Sequence, residues 1–437
     1  METSLRLQTK DSERNKVLIS SILFMGLGHI LYLKQYLKGL FFAAVEVAFL
    51  VFLPKIVKAM GDLITLGEPM PHLPIKQRPN SIFMLIDGII VIAAVFLFIT
   101  IYIISVRSAL ADYDQAVRSR PTSIREGLNK AFPIFGLAPS VGLVIFFVIV
   151  PLVFSACVAF TNYSSPDHIP PNKTVDWVGF DNFVTLFGGN AAWTGALGRV
   201  VLWTLVWAVL ATATCYFGGM LMAVILTESG LRITPIFRTI FILPYAVPSV
   251  ISMLVWQNLL NGTFGTINRT LSALGLISKP IPWLGDPWMA KFTAVMINLW
   301  AGFPYFMLLT MGSMTAISKD IFEAARIDGA DKYQVFKKIT LPIVLYQTAP
   351  LIIMSFTHNI NNFGAIFFLT GGKPVVADST ITSAGGTDIL VTWIYKLTVN
   401  LLKYNYASVL AVMIFVVLAP LAIINLRHTK SFREGEL

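Results

Sequence analysis

Residues 321–342 read Ile321-Phe322-Glu323-Ala324-Ala325-Arg326-Ile327-Asp328-Gly329-Ala330-Asp331-Lys332-Tyr333-Gln334-Val335-Phe336-Lys337-Lys338-Ile339-Thr340-Leu341-Pro342. The pattern predicts a short helix, a glycine turn and a second short amphipathic helix that stops at the proline. Ala324 and Ala325 are small enough to let another surface approach closely. Gly329 tolerates positive φ and ends the first helix. Pro342 is awkward inside a helix but acceptable in a first turn, so Leu341-Pro342 marks entry into the next segment. The flanks decide the fold. Residues 292–318 and 339–372 contain no Asp, Glu, Lys or Arg, and each is long enough for a membrane-crossing helix of about 20 residues. The segment is a loop between two spans.

Working outward, charge-free runs also occupy 88–106, 131–166, 200–227, 239–268 and 404–426. Residues 39–54, interrupted only by Glu46, add an eighth span. The run 17–33 is too short for a regular span and holds Gly26, Gly28 and His29; it reads as re-entrant or interfacial. Of 437 residues, 56% are hydrophobic and 13% charged, about half the charged share of a soluble domain, and mean hydropathy is +0.72. Disordered and collagen-like chains are excluded. The net charge of +10 is not gathered into a dense basic block, so nucleic acid is not expected. Basic residues orient the chain instead. With 1–38, 105–131, 228–238, 314–342 and 427–437 inside, the inner segments hold 21 of the 33 Lys and Arg. Eight spans with both termini cytoplasmic follow. Three regions are expected: a cytoplasmic or interfacial segment 1–38, two additional spans and a basic loop over 39–130, and a six-span core over 131–437. The outer loops 161–199 and 261–291, rich in Gly, Pro, Asn and Trp, read as small structured caps.

In Glu323, Ala324, Ala325, Gly329, Ile339, Leu341 and Pro342, residue types and spacing resemble the signature loop of permease subunits of ATP-binding-cassette importers. Further stretches are similar to the larger, MalF-type permease of maltose/maltodextrin importers. These are Phe160-Thr161-Asn162-Tyr163-Ser164-Ser165, Leu243-Pro244-Tyr245-Ala246-Val247-Pro248-Ser249, Trp300-Ala301-Gly302-Phe303-Pro304-Tyr305, Asn359-Ile360-Asn361-Asn362-Phe363 and Ala384-Gly385-Gly386-Thr387-Asp388-Ile389-Leu390. The resemblance implies an all-α polytopic bundle, the type I importer permease fold, in a bacterial cell membrane. It implies that the loop 314–342 docks on a cytoplasmic ATPase. It also implies a second permease forming a heterodimer, two ATPase subunits, an extracytoplasmic sugar-binding protein and an oligosaccharide cargo. One departure is clear: the best-known member has a whole extra domain between its third and fourth spans, where this chain has about 40 residues.

Neutral polar and aromatic groups are tolerable in a span where they face a wet cavity, and a neutral sugar needs such groups. Tyr245 and Ser249 stand i,i+4 in the fifth span. Gly302 and Tyr305 stand i,i+3 in the sixth, and Asn359 and Asn362 i,i+3 in the seventh, with His358 four before Asn362. Pro244, Pro248 and Pro304 are expected to loosen these helices. By resemblance, Tyr245, Ser249, Gly302, Tyr305, Asn359 and Asn362 are maltose-contacting positions. His358 replaces an aromatic hydrocarbon of the best-known member. The competing reading is interhelical hydrogen bonding. No G-x-x-x-x-G-K-[ST] loop occurs; the nearest string, Gly371-Gly372-Lys373, runs into Pro374. No metal-ligand set or nucleophile constellation is present. The chain is expected to be non-catalytic, with no cofactor of its own and with ATP and Mg on the partner ATPase. Alternatives are another neutral oligosaccharide as cargo, or an ion-coupled transporter. The latter would want acidic groups at mid-membrane, where only Glu46 fits.

Overall fold

The computed structural model describes residues 2–70, 72–74, 77–117, 136–137, 139–228 and 232–428. The chain divides into two compact units, Met1–Trp177 and Val178–Leu437. The boundary read from sequence at 130/131 lies outside the described residues. Among the described residues the β content is one isolated bridge, Thr161 to Trp177; helices make up the rest of the architecture.

The first unit contains α1 (Glu2–Leu23), α2 (Leu27–Leu31), α3 (Tyr36–Thr65), α4 (Ser81–Val117) and α5 (Pro139–Val158). Helices α3, α4 and α5 are long and apolar enough to cross a membrane. The start of the outer loop 161–199 is a built cap. His168 is buried, with one ring nitrogen 3.1 Å from Ser164 O and the other 3.1 Å from Thr174 O.

The second unit is laid out on α6 (Ala191–Glu228) and α9 (Pro287–Thr315), the two most buried spans. Their approach depends on small residues. A Cβ on Gly219 would fall 2.6 Å from Met307 N and from Phe303 O. Asp286 caps α9, accepting from Trp288 N–H at 3.0 Å and Met289 N–H at 2.8 Å, with Pro287 in the first turn. The fifth span is a broken one: α7 (Thr234–Ala246) and α8 (Ser249–Leu259) meet at a 91° bend. Among the described residues, seven helices are long and apolar enough to cross, and counting this pair as one broken span gives the eight expected. Of the three prolines, only Pro248 breaks a helix; Pro244 and Pro304 stay inside α7 and α9.

The loop after α9 forms α10 (Lys319–Ile327), and α11 (Lys332–Ile360) follows. The expected stop at Pro342 does not occur. Helix α11 runs through the proline into the seventh span, because the turn before it, Phe336–Thr340, winds as a π-helix. There Leu341 N–H reaches Phe336 O, and the hydrogen-bond register changes where Pro342 offers no donor. The chain ends with α12 (Phe363–Thr370), α13 (Leu390–Val399) and the last span, α14 (Tyr404–His428). One buried cluster joins Trp203, Trp207 and Ala211 of α6 to Met253 of α8, Ile297 of α9 and Ile366 of α12. The loop 261–291 is also a built cap. Asn268 is buried and donates to Ile281 O at 2.9 Å, while its carbonyl accepts from Trp283 Nε1 at 2.9 Å.

Candidate functional site

Two groups of predicted residues lie in the second unit. The first surrounds the helix breaks. Tyr245, near the end of α7, and Tyr305, on α9, bring their rings to 6.1 Å between centroids with planes 32° apart. Both stay open, 54% and 38% exposed, so the pair is not part of the chain's own packed core. Ser249 does not share a helical face with Tyr245. The bend at Val247–Pro248 intervenes, and Ser249 is the first residue of α8. The i,i+4 expectation fails because Val247 is extended and Pro248 cannot continue the hydrogen-bond ladder.

Gly302 and Tyr305 keep their i,i+3 relation on continuous α9, but Gly302 lies against α6. A Cβ there would stand 2.8 Å from Cys215 Sγ, so its direct part is helix packing. Asn359 is 5% exposed and committed on two sides. Its amide donates to Thr212 Oγ1 at 3.0 Å, and its backbone carbonyl accepts from Trp207 Nε1 at 3.1 Å. This is the interhelical bonding that competes with sugar contact. Asn362 does not continue the same helix. Helix α11 ends at Ile360, and the Asn362 side chain caps α12, accepting from Ala365 N–H at 3.2 Å. His358 is exposed, one residue before buried Asn359. The geometry therefore brings Tyr245 and Tyr305 together. It places Ser249 and Asn362 at helix starts, and it turns Gly302 and Asn359 toward α6.

The second group is the loop. Ser318 caps α10 by accepting from Asp320 N–H at 3.3 Å. Gly329 has φ +77°, and the turn is closed by Gly329 N–H to Arg326 O at 3.1 Å and Ala330 N–H to Ala325 O at 2.9 Å. Asp331 and Gln334 then form a reciprocal capping box at 2.7 and 3.1 Å. Glu323 and Ala324 are exposed and Ala325 half-buried. Ile327 is 86% exposed, an apolar side chain held out on an ordered helix. The other end of the loop is anchored: Phe336 and Leu341 pack against the cluster of Cys215, Tyr216, Phe306, Met314 and Val344. This packing fixes the start of α11 against α6 and α9.

The family described as binding-protein-dependent transport system inner membrane component matches residues 215–430, which contain both groups. The chain is 37% identical over 427 residues to the galactooligosaccharides transport system permease protein GanP of Bacillus subtilis, covering 96% of this chain and 99% of that protein. It is 34% identical over 421 residues to the maltodextrin transport system permease protein MalC of Streptococcus pneumoniae, covering 93% and 94%. The chain belongs to this permease family. It is a multi-span sugar permease of an ATP-binding-cassette importer, resident in the cell membrane and resembling the MalF type. The fold agrees. A bacterial ABC transporter involved in the import of the acidic polysaccharide alginate superposes with a TM-score of 0.56 at 22% identity, over 70% of this chain and 99% of that one.

The permease also carries a polar construction that residue spacing did not reveal. The motif Ala384–Leu390 is built around buried Asp388. Its carboxylate accepts from Lys396 Nζ at 2.6 Å, Gly385 N–H at 2.6 Å and Thr392 Oγ1 at 2.9 Å. Burial pushes the Asp388 carboxyl above the usual range, and Lys396 with the hydrogen bonds opposes it. Arg199 donates to Asp378 at 2.6 and 2.8 Å and to Gly385 O at 2.7 Å. Arg199 and Lys291 border the charge-free runs in sequence but lie inside α6 and α9. Lys291 sits 4.9 Å from the ring centroids of Trp203 and Trp288. The sequence signal was available: an Arg and two Asp beside apolar runs need partners.

Proposed function

We propose that this chain is one half of a heterodimeric translocation pathway that moves a neutral oligosaccharide by alternating access, with malto-oligosaccharides as the cargo. The observation that carries the cargo class is the open Tyr245–Tyr305 pair, an aromatic surface suited to the apolar faces of sugar rings. Ser249, four residues after Tyr245, and His358 and Asn362, at the end of α11 and the start of α12, add hydrogen-bonding groups. Arg199 and Lys291, the cations at the ends of α6 and α9, are already engaged, which favours neutral over anionic cargo. A maltodextrin permease at 34% identity supports malto-oligosaccharides. A galactooligosaccharide permease at 37% identity supports galacto-oligosaccharides as the second reading.

In this proposal a second permease completes the pathway and an extracytoplasmic binding protein delivers the sugar. Two ATPase subunits, which hold ATP and Mg, dock on α10 around Glu323, Ala324 and Ala325. Both termini are cytoplasmic. ATP-driven closure of the ATPases moves α10, and the packing of Phe336 and Leu341 passes that movement to α6, α9 and α11. The two states differ in their contacts with the ATPases, which is what permits ATP to bias them. The chain itself performs no hydrolysis. The ion-coupled alternative has less support, because its candidate carboxylate, Glu46, already accepts from Met25 N–H.

The test is uptake of radiolabelled maltotriose and galactotriose by the reconstituted complex, with Tyr245→Ala, Tyr305→Ala and Asn359→Ala made singly. ATP-dependent maltotriose uptake, reduced at least ten-fold by either Tyr substitution, is expected. Unchanged affinity and rate in all three variants would remove the site. Preference for galactotriose would leave the site and reassign the cargo.

A further inference from the structure

The run 17–33 is too short to cross a bilayer as a regular helix, and its contacts show how deep it lies. Helix α1 runs antiparallel to α4. Arg14 pairs with Asp114 at 3.1 Å, and further along α1 Ile22 O accepts from Tyr102 OH at 2.5 Å. From Arg14 to Ile22 is a rise of roughly 12 Å, at about 1.5 Å per residue. Tyr102 lies within the charge-free run 88–106, so the end of α1 reaches the apolar part of α4.

The chain then turns back. At the turn Gly26 has φ +85°, and its missing Cβ would stand 2.1 Å from Gly39 O, so two glycines permit the close crossing. The Glu46 carboxylate accepts from Met25 N–H, one of the backbone donors that the break between α1 and α2 leaves without a helical partner. Helix α2 returns toward the charged level. His29 Nε2 lies 3.4 Å from Ser108 Oγ, and Lys38, at the start of α3, pairs with Asp112 at 2.7 Å. The ion pairs Arg14–Asp114 and Lys38–Asp112 thus lie on either side of the excursion, and its turn is held by the bond between Glu46 and Met25 N–H. The outward side is bare: Ile19, Ile22, Leu23, Leu31, Leu37 and Phe41 are all at least half exposed, and they continue into the outward apolar face of α3.

We propose that residues 17–33 enter the bilayer and return to the same face as a re-entrant hairpin, its outer side packed on phospholipid acyl chains and its turn held by Glu46. An amide in hydrocarbon needs an acceptor. A carboxylate inside an apolar run is otherwise costly. Each group answers the other's requirement. The proposal is independent of the cargo and of the direction of transport.

The test uses the full complex in sealed vesicles, with Cys157→Ser and Cys215→Ala as background. Ser12→Cys and Lys34→Cys are expected to react with an impermeant maleimide from the same side. A bimane on Leu23→Cys is expected to be quenched at least five-fold more by 12-doxyl phospholipid than by aqueous iodide. Reaction of the two cysteines from opposite sides would overturn the hairpin in favour of a crossing. Quenching by iodide, or by neither agent, would overturn the lipid contact. Glu46→Ala is expected to lose at least half of the doxyl quenching while Glu46→Gln, which still offers an acceptor, keeps it. Equal quenching in both would overturn the role of Glu46.

Discussion

Substitution of Gly329 tests whether the loop works as a rigid lever. Gly329 sits at φ +77°, and nothing lies within 4 Å of where its Cβ would be. Any effect of a side chain there is therefore conformational and not steric against a neighbour. An L-residue in the left-handed region costs about 1–2 kcal/mol, with β-branched residues at the upper end, whereas Asn is tolerated best. The strain falls on the turn closed by the Gly329 and Ala330 N–H bonds, and on the link from α10 to α11. A change of 1–2 kcal/mol shifts a local equilibrium by roughly 5–30-fold. Gly329→Val is thus expected to leave the spans folded but cut ATP-driven sugar uptake in proteoliposomes by about ten-fold. ATP hydrolysis by the complex should fall less, so that fewer sugars move per ATP. Gly329→Asn is expected to stay within about two-fold of wild type. Equal uptake and equal sugar-to-ATP ratios for Val, Asn and wild type would refute the lever.

Further substitutions probe three separate parts of the structure. Gly219→Leu should lower thermal stability in detergent by about 1–3 kcal/mol or prevent assembly, since its side chain meets the backbone of α9 at Met307 and Phe303. Gly198→Ala, in an open stretch of α6, should gain about 0.5–1 kcal/mol; similar melting shifts for the two would contradict the packing. Asp388→Asn should destabilise by about 3–5 kcal/mol, because it leaves the Lys396 ammonium largely buried without its carboxylate. Adding Lys396→Met should recover part of that loss, and a double variant no better than the single one would count against the pair. Ile327→Asp should weaken binding of the purified ATPase subunit by tens-fold, as expected when about 2 kcal/mol of apolar burial is removed, with no change in the permease's own melting. Unchanged ATPase affinity would detach α10 from that interface.

The spans were legible because a membrane helix is specified by composition over a long window, and each charge-free run coincides with a crossing helix or a broken pair. The loop was legible for a different reason. Gly329 satisfies a local rule of helix termination, and local rules need no tertiary knowledge; the Ser318 cap and the Asp331–Gln334 box obey equally local rules but were found only in the structure. Pro342 does stand in the first turn of the seventh span, as its neighbours suggested; what spacing did not show is that the π turn at Phe336–Thr340 absorbs the missing bond and joins the preceding helix to that span. Gly302 shows the limit of helical spacing. Spacing places it one turn from Tyr305 but does not say which neighbour α9 turns toward that face, and Cys215 of α6 occupies it. The Asp388–Lys396 pair is sequence-local, yet its burial depends on Thr204 and Trp203 of α6, which reach the same loop through Leu390 N–H and Thr387 O.

The breaks in the helices carry information that their side chains alone do not. In hydrocarbon, backbone groups freed by a break must find partners, so broken helices are tolerated where they line a wet cavity or are wrapped by protein. Two of the breaks fall within the residues singled out for sugar: between Tyr245 and Ser249, and between Asn359 and Asn362. The second is closed by Asn362, which caps α12 itself. At the first, Pro248 precedes α8 and no side chain caps its opening N–H groups. Ser249, Val250 and Ile251 are exposed there. Backbone donors and a serine hydroxyl thus stand at the bend that follows Tyr245, whose ring pairs with Tyr305. Hydroxyl groups of a sugar can accept those bonds while its ring faces rest on tyrosine, and neither interaction requires charge. On this argument the proline break is part of the recognition surface, and restoring a continuous helix by Pro248→Ala should impair sugar affinity even though it removes no polar side chain. Equilibrium binding of maltotriose to the detergent-solubilised complex would decide it, and an unchanged dissociation constant would return Pro248 to a purely structural role.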